Sequence, residues 1–433
     1  NGDTGDEACQ QYFLYRQDIE LMKAMGVGSY RFSISWSRLI PSGTGAVNQL
    51  GIDYYNNLIN ALLENDIVPF VTLYHWDLPQ ALDDRYGGWL NPQVQDDFAV
   101  YARLCFQSFG DRVKNWITLN EPQVFSVVAY GEGTHAPGRC SDRSRCTEGD
   151  SAREPYIVAH NALLAHAKAV RILRTEFSNQ NGVIGITIDG DYSRPLTDSQ
   201  EDINAAETRQ QFQHGWYFDP VFFGDYPPIM KIQVGDRLPA FTPEEQILLR
   251  GSTDFAGINH YSSRFVSAGS PPNVPTSVQS DTWTIASEFD QNGVQIGLQA
   301  ASPWLYVVPY GIRNVINWVS LRYGNPPIYI TENGRDQIYD PNDPISATIE
   351  DPLRIDFYRE YLDNVRMSIL DGSDVRGYFA WSLLDNFEWA EGYKNRFGLH
   401  YVNFTDPNKE RIPRDSSRFY GLYIATAEDQ CVS

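Results

Sequence analysis

Trp116-Ile117-Thr118-Leu119-Asn120-Glu121-Pro122 is an apolar, β-type run that stops in an amide, a carboxylate and a proline. Such residues favour the pleated surface of a strand and proline cannot continue a ladder, so Glu121 stands where a strand ends. Ile328-Tyr329-Ile330-Thr331-Glu332-Asn333-Gly334 has the same build. A short β-rich run again delivers one glutamate to its C-terminal end, before a turn-forming Asn-Gly.

Outward from these stretches, β-rich runs alternate with helical patterns. Asp18 to Met25 is amphipathic and stops at Gly26, which predicts a helix with a glycine cap. Ile52 to Glu64 puts Ile52, Tyr55, Ile59 and Leu62-Leu63 on one helical face. Further helices are expected over 92–109, 152–177, 309–323 and 351–370. Seven strands are expected, over 30–34, 68–74, 116–119, 183–188, 255–259, 328–331 and 377–381. Repeated βα alternation implies a parallel sheet, and this many units predicts an α/β fold, a (β/α)8 barrel spanning 1–433 as one domain. A doubly wound sheet is the rival, but no Gly-rich phosphate turn opens a helix after the first strand. Polar and aromatic residues gather at the C-terminal ends of the strands, where barrel active sites lie. One strand is missing from the count.

The 433 residues carry a net charge of −21, with 42% hydrophobic and 21% charged residues. That balance argues against nucleic-acid and anionic-membrane partners and suits a neutral or cationic substrate, although solubility is the plainer reading of it. No run approaches 18 apolar residues, so no membrane helix is expected. The chain opens on a polar Asn1-Gly2-Asp3 with no signal peptide in view. Cys140 and Cys146 bracket a short charged loop that reads as a disulfide-closed hairpin; zinc lacks a second ligand pair. Cys105 reads as a buried apolar residue, and Cys9 and Cys431 could pair near the termini. The expected disulfide and the sequon Asn403-Phe404-Thr405 favour an oxidising setting, secreted or in a secretory organelle.

Two carboxylates at strand ends are the minimum apparatus for glycoside hydrolysis, one kept protonated for the leaving oxygen and one ionised. A lone strand-end glutamate is more often structural; the company changes the reading. His75-Trp76, Asn120, Tyr261, Trp381 and Glu388-Trp389 offer hydrogen-bonding groups and flat aromatic faces that suit a sugar. The chain resembles the family 1 glycoside hydrolases, β-glucosidases of the plant-type branch, from about Ala8 to Phe419. The resemblance is carried by Tyr30-Arg31-Phe32-Ser33-Ile34-Ser35-Trp36, His75-Trp76-Asp77-Leu78-Pro79, Thr118-Leu119-Asn120-Glu121-Pro122, Thr331-Glu332-Asn333-Gly334 and Trp381-Ser382-Leu383-Leu384-Asp385-Asn386-Phe387-Glu388-Trp389.

The resemblance implies a retaining β-glucosidase that works through a covalent glycosyl-enzyme, with no metal or cofactor. It makes Glu121 the acid/base and Glu332 the nucleophile, flanked by Arg31 and Tyr261. His75, Asn120, Glu388 and Trp389 would bind sugar hydroxyls, Trp381 would be the platform, Trp304 would stand beside the leaving group and Phe397 would close the pocket. A small-molecule β-glucoside or oligosaccharide is the implied partner, and a homo-oligomer stays open. Glu388, where relatives acting on phosphorylated sugars carry a small polar residue, is expected to repel phosphate by its charge. A transglycosidase using the same intermediate is the alternative, as is a catalytically impaired sugar-binding relative. The family's first strand, with a sugar-binding glutamine, precedes the matched region. A partial or processed chain is therefore expected; otherwise the strands at 30–34 and 377–381 would present open edges and sugar binding would be weak.

Overall fold

The computed structural model describes residues 2–274 and 276–431. Seven parallel strands form one sheet in chain order: β1 (Ser29–Ser33), β2 (Val68–Tyr74), β3 (Asn115–Asn120), β4 (Val183–Asp189), β5 (Ala256–Asn259), β6 (Ile328–Asn333) and β7 (Val375–Ala380). Each predicted run is a strand, shifted by no more than two residues at either end. The sheet curls into a nearly closed barrel wrapped by helices, among them α1 (Gln11–Met25), α2 (Gln49–Leu63), α3 (Gln93–Phe109), α4 (Glu154–Glu176), α5 (Pro309–Tyr323), α6 (Pro352–Leu370) and α7 (Asp415–Cys431). Gly26 ends α1 at φ 69°, where its N–H reaches the Lys23 carbonyl, as its lack of a Cβ permits.

The barrel interior is layered. Its lower part is aromatic: Phe70, Phe255, Tyr329 and Phe379 pack around Ile117, with the ring of Phe70 5.0–5.6 Å from the other three rings. Gly185 makes room for this floor, since a Cβ there would lie 2.5 Å from the Phe255 ring. Above the floor the inward side chains turn polar: Arg31, Thr72, Asn120, Thr187, Asn259, Thr331 and Glu332. All strands end at the same face, so these groups converge there.

Among the described residues, four helices between β4 and β5, Gln200–Gln210, Trp216–Phe223, Pro228–Val234 and Pro243–Leu249, were not expected. The first is polar over most of its length, with little apolar periodicity to betray it. Helix α1 begins seven residues before the predicted Asp18, because Gln11–Gln17 exposes most of its surface and carries a weak apolar stripe. The cysteine loop closes as expected: Cys140 and Cys146 are disulfide-bonded, with Cα atoms 5.5 Å apart. Cys105 is fully buried, and the side chain of Cys431, the partner considered for Cys9, lies outside the described residues. Among the described residues, no strand pairs with the outer edge of β1 or of β7.

A loop of six-residue separation restricts the unfolded chain modestly. The double variant Cys140→Ser/Cys146→Ser is expected to lose about 2 kcal/mol, measured as a lower denaturant midpoint at unchanged m-value.

Candidate active site

Glu121 follows the last residue of β3, and its N–H donates to the Thr187 carbonyl of β4 at 2.9 Å. Its backbone is left-handed, φ 47°, a conformation that costs a non-glycine residue energy and clusters at functional positions. Glu332 lies within β6, and its carbonyl accepts from the His260 N–H at 3.1 Å. The two carboxylates are 6% and 4% exposed. Burial alone does not separate them; their partners do.

Arg31 of β1 forks between two acceptors, donating from Nη1 to Glu332 Oε1 at 2.8 Å and from Nη2 to Asn120 Oδ1 at 2.6 Å. Tyr261 donates its hydroxyl to Glu332 Oε2 at 2.8 Å. Glu332 therefore holds a charge-assisted bond and a phenolic bond. Glu121 accepts at Oε1 from Asn259 Nδ2 at 2.6 Å, and among the described residues no cation bonds it. Burial, then the charges of Glu332 and Asp189, push its pKa well above the usual carboxylate range, against Asn259 and Arg31, which lower it. One acid is thus bonded by a cation and a phenol, and the other is pushed toward its neutral form by its surroundings.

Asn120 is nearly saturated. Its Oδ1 accepts from Arg31 and from Asn259 (3.1 Å), and its Nδ2 donates to His75 Nε2 at 3.1 Å. Because Oδ1 faces a guanidinium it must be the oxygen, so His75 accepts at Nε2 and carries its proton on Nδ1. Burial and the Arg31 charge push His75 down to about 3, so the imidazole is neutral. One N–H of Asn120 remains for a ligand.

The walls are aromatic. Trp381 and Trp389 flank His75 nearly parallel to it, with centroids at 5.9 and 6.0 Å. Trp76 lies 4.5 Å from Trp389, and its Nε1–H donates to the Asn120 carbonyl at 2.9 Å. Phe397 is buried and meets Tyr261 edge-on at 6.0 Å. Trp304 stands at the rim, 46% exposed, its ring 5.7 Å from Tyr261. Glu388 is partly buried, and desolvation followed by the charges of Glu332, Asp336 and Glu391 pushes it up to about 8.

Every predicted site residue thus reaches one mouth, at the C-terminal end of the barrel. Two residues were missed. Asn259, the sole side chain bonded to Glu121 among the described residues, ends β5 two residues before the predicted Tyr261 and looks like the tail of an apolar run. Asp189 ends β4 and is pushed up to about 7 by burial, Asp191 and Glu332. The signal available for both was a polar residue closing a buried β-run.

Comparison with known proteins follows the same line. The sequence profile described as Glycosyl hydrolase family 1 matches residues 1–429. Rice β-glucosidase 6 is 50% identical, over 98% of this chain and 82% of that protein; Arabidopsis thaliana β-glucosidase 40 is 49% identical, over 97% and 84%. Among solved structures, a rice β-glucosidase in a covalent complex with glucose superposes with a TM-score of 0.94 at 50% identity, over 96% of this chain and 88% of that one. A β-glucosidase from the fungus Humicola insolens in complex with glucose gives 0.93 at 44%, over 97% and 88%.

The opposed influences on Glu121 can be read directly. Asn259 stabilises its charged form, so Asn259→Ala is expected to raise its pKa; Asp189→Asn removes a repelling charge and is expected to lower it. Titration by NMR with 13C-labelled glutamate checks both directions.

Proposed function

The chain belongs to glycosyl hydrolase family 1, and on that premise we propose that it is a retaining β-glucosidase in which Glu332 is the nucleophile and Glu121 the acid/base. It hydrolyses terminal non-reducing β-D-glucosyl residues by double displacement through a covalent glycosyl-enzyme. The observation that supports these roles is the asymmetry of the two carboxylates: Glu332 is bonded by Arg31 and Tyr261, and Glu121 only by the neutral amide of Asn259.

In the first step Glu332 attacks the anomeric carbon while Glu121 gives its proton to the departing glycosidic oxygen. The bond to the aglycone breaks as the bond to Glu332 forms. Esterification removes the Glu332 charge, which is one of the influences holding Glu121 neutral. The pKa of Glu121 therefore falls, and the carboxylate can take a proton from water as that water attacks the intermediate. Arg31 and Tyr261 bond Glu332 most strongly as a carboxylate, so they favour its departure in this second step. His75, Glu388, Trp389 and the free N–H of Asn120 contact the sugar hydroxyls, the ring of Trp381 carries its C–H face, and Phe397 closes the far wall. Trp304, exposed at the rim, meets the aglycone. The closed disulfide and the sequon at Asn403 support a secreted or secretory-organelle setting.

With p-nitrophenyl β-glucoside, Glu332→Gln is expected to lose kcat/KM by at least about a thousandfold, because the variant has no nucleophile to form the intermediate. Glu121→Gln is expected to keep the first step, because nitrophenolate leaves without a proton, and to stall in the second. Mass spectrometry of that variant should show a glycosyl adduct, and its kcat and KM should fall together. Full activity in either variant refutes the assignment.

A further inference from the structure

Asn403-Phe404-Thr405, the single Asn-X-Ser/Thr in the 433 residues, opens the turn of a small antiparallel hairpin, His400–Val402 paired with Arg411–Pro413. Such a triplet says little until its folded geometry is known. The Asn403 N–H donates to the Glu410 carbonyl at 3.0 Å, which sets the residue at the root of the turn. Its side-chain Oδ1 accepts from the Thr405 hydroxyl at 2.8 Å and from the N–H groups of Thr405 and Asp406 at 3.2 and 3.3 Å. Three donors hold the oxygen over the turn, as asparagine often does in turns. The amide nitrogen, on the other branch, has no hydrogen-bond partner among the described residues and is not buried. Replacing one of its hydrogens therefore breaks no bond of the fold. Thr405, Pro407 and Asn408 are exposed, so the turn leaves room for a bulky substituent.

Beside the turn lies a groove of about 570 Å3, a size within the roughly 300–1,000 Å3 common for small-molecule sites. Helix α1 and its cap supply one wall: Gln10, Leu14, Gln17 and Leu21 form one helical stripe in which amides alternate with apolar side chains. The turn supplies the other, from Asp406 and Pro407 to Glu410 and Arg411. Asp406 bonds the Asn403 side chain and Glu410 pairs with its backbone, so the free amide nitrogen stands at the edge of the groove. The lining suits a sugar. Leu14, Leu21 and Pro407 match an apolar C–H face and an acetyl methyl, and Gln10, Gln17 and Asp406 match hydroxyls and an acetamide. It does not suit an anion: the Arg411 guanidinium is already bonded to Asp18 and to the carbonyls of Cys9 and Lys409, and Asp406 and Glu410 repel negative charge.

We propose that Asn403 carries an N-linked oligosaccharide whose first N-acetylglucosamine lies in this groove. A bond forms between Nδ2 and C1 of the sugar as the C1–O bond to the diphosphate of a lipid-linked donor breaks. The amide gives up one proton, and the diphosphate leaves with the electron pair. Such donors belong to the secretory pathway, so the proposal rests on the setting proposed above. Once docked, the sugar adds a second tie between α1 and the hairpin, beside the Arg411–Asp18 pair that joins them across 393 positions of chain.

The test uses the full chain, secreted from a eukaryotic host behind an added signal sequence. Its intact mass is expected to exceed that of the unmodified chain by one oligosaccharide, and Asn403→Asp is expected to lose the whole increment. An Asn403 that stays unmodified in the secreted chain overturns the site and leaves the secretory setting standing on the disulfide. The docking is read by hydrogen exchange, after an endoglycosidase has trimmed the oligosaccharide to its first sugar. The reference is Asn403→Asp, which keeps the acceptor oxygen of the turn. The amides of 12–21 and 406–411 are expected to exchange about tenfold more slowly in the glycosylated chain. Equal rates in the two chains overturn the docking. Slowing that is lost on dilution belongs to association between chains and overturns it too.

Discussion

The Arg31 fork is the interaction on which the site depends. One guanidinium, nearly shut off from water, bonds the Glu332 carboxylate and the Asn120 amide. Asn120 shares its oxygen with Asn259, which in turn bonds Glu121. Groups from β1, β3, β5 and β6 thus form one chain from one carboxylate to the other. Remove the guanidinium and two nearly buried acids face each other with no compensating charge, which costs far more in a low dielectric than at the surface. The chain also sets direction: the cation sits at the Glu332 end and a neutral amide at the Glu121 end.

The second support lies beneath the mouth. Trp381, Glu388, Trp389 and Phe397 come from one long excursion after β7, which has little regular structure to hold it. Buried charge holds it instead. Asp385 accepts from Arg414 through both oxygens at 2.9 Å and from Arg396 at 3.2 Å. Arg354 bonds Asp351 at 2.7 Å and donates to the carbonyls of Arg335, Arg396 and Gly398. Gly398 is required by this crowding, since a Cβ would lie 2.2 Å from the Asp385 nitrogen. Ions this deep are tolerated because each has several partners, and the return is a loop fixed in one shape.

What the sequence made legible follows from how local each signal is. Strands showed themselves because a parallel barrel buries both faces, leaving short β-branched and aromatic runs such as Ile328–Ile330 with a polar residue at the end. The open seam showed itself as a missing run. The two carboxylates were visible as strand-end residues, but their unlike roles came from resemblance. The geometry adds a physical reason: Arg31 lies 301 positions from Glu332 in the chain, and no local pattern signals such a pairing. Asn259 was invisible for the converse reason, since an asparagine closing a run resembles any strand terminus until its amide is seen 2.6 Å from Glu121. The polar helix Gln200–Gln210 escaped because its apolar contact is made by few residues, Ala205 and Ala206 among them.

The structure also changes the account of charge in the sugar pocket. A charged Glu388 was expected to repel a phosphorylated sugar. Its pKa is raised to about 8 by burial and by three neighbouring acids, so near neutral pH it is mostly protonated, a donor as well as an acceptor. Alone it would bond a phosphate. The barrier lies elsewhere: an anion entering the mouth would meet Glu332, and the guanidinium at hand, Arg31, is already shared between Glu332 and Asn120. To bind the anion, Arg31 would have to give up its bond to Glu332. The fork that bonds Glu332 and Asn120 would thus oppose a charged sugar without requiring Glu388 to be ionised.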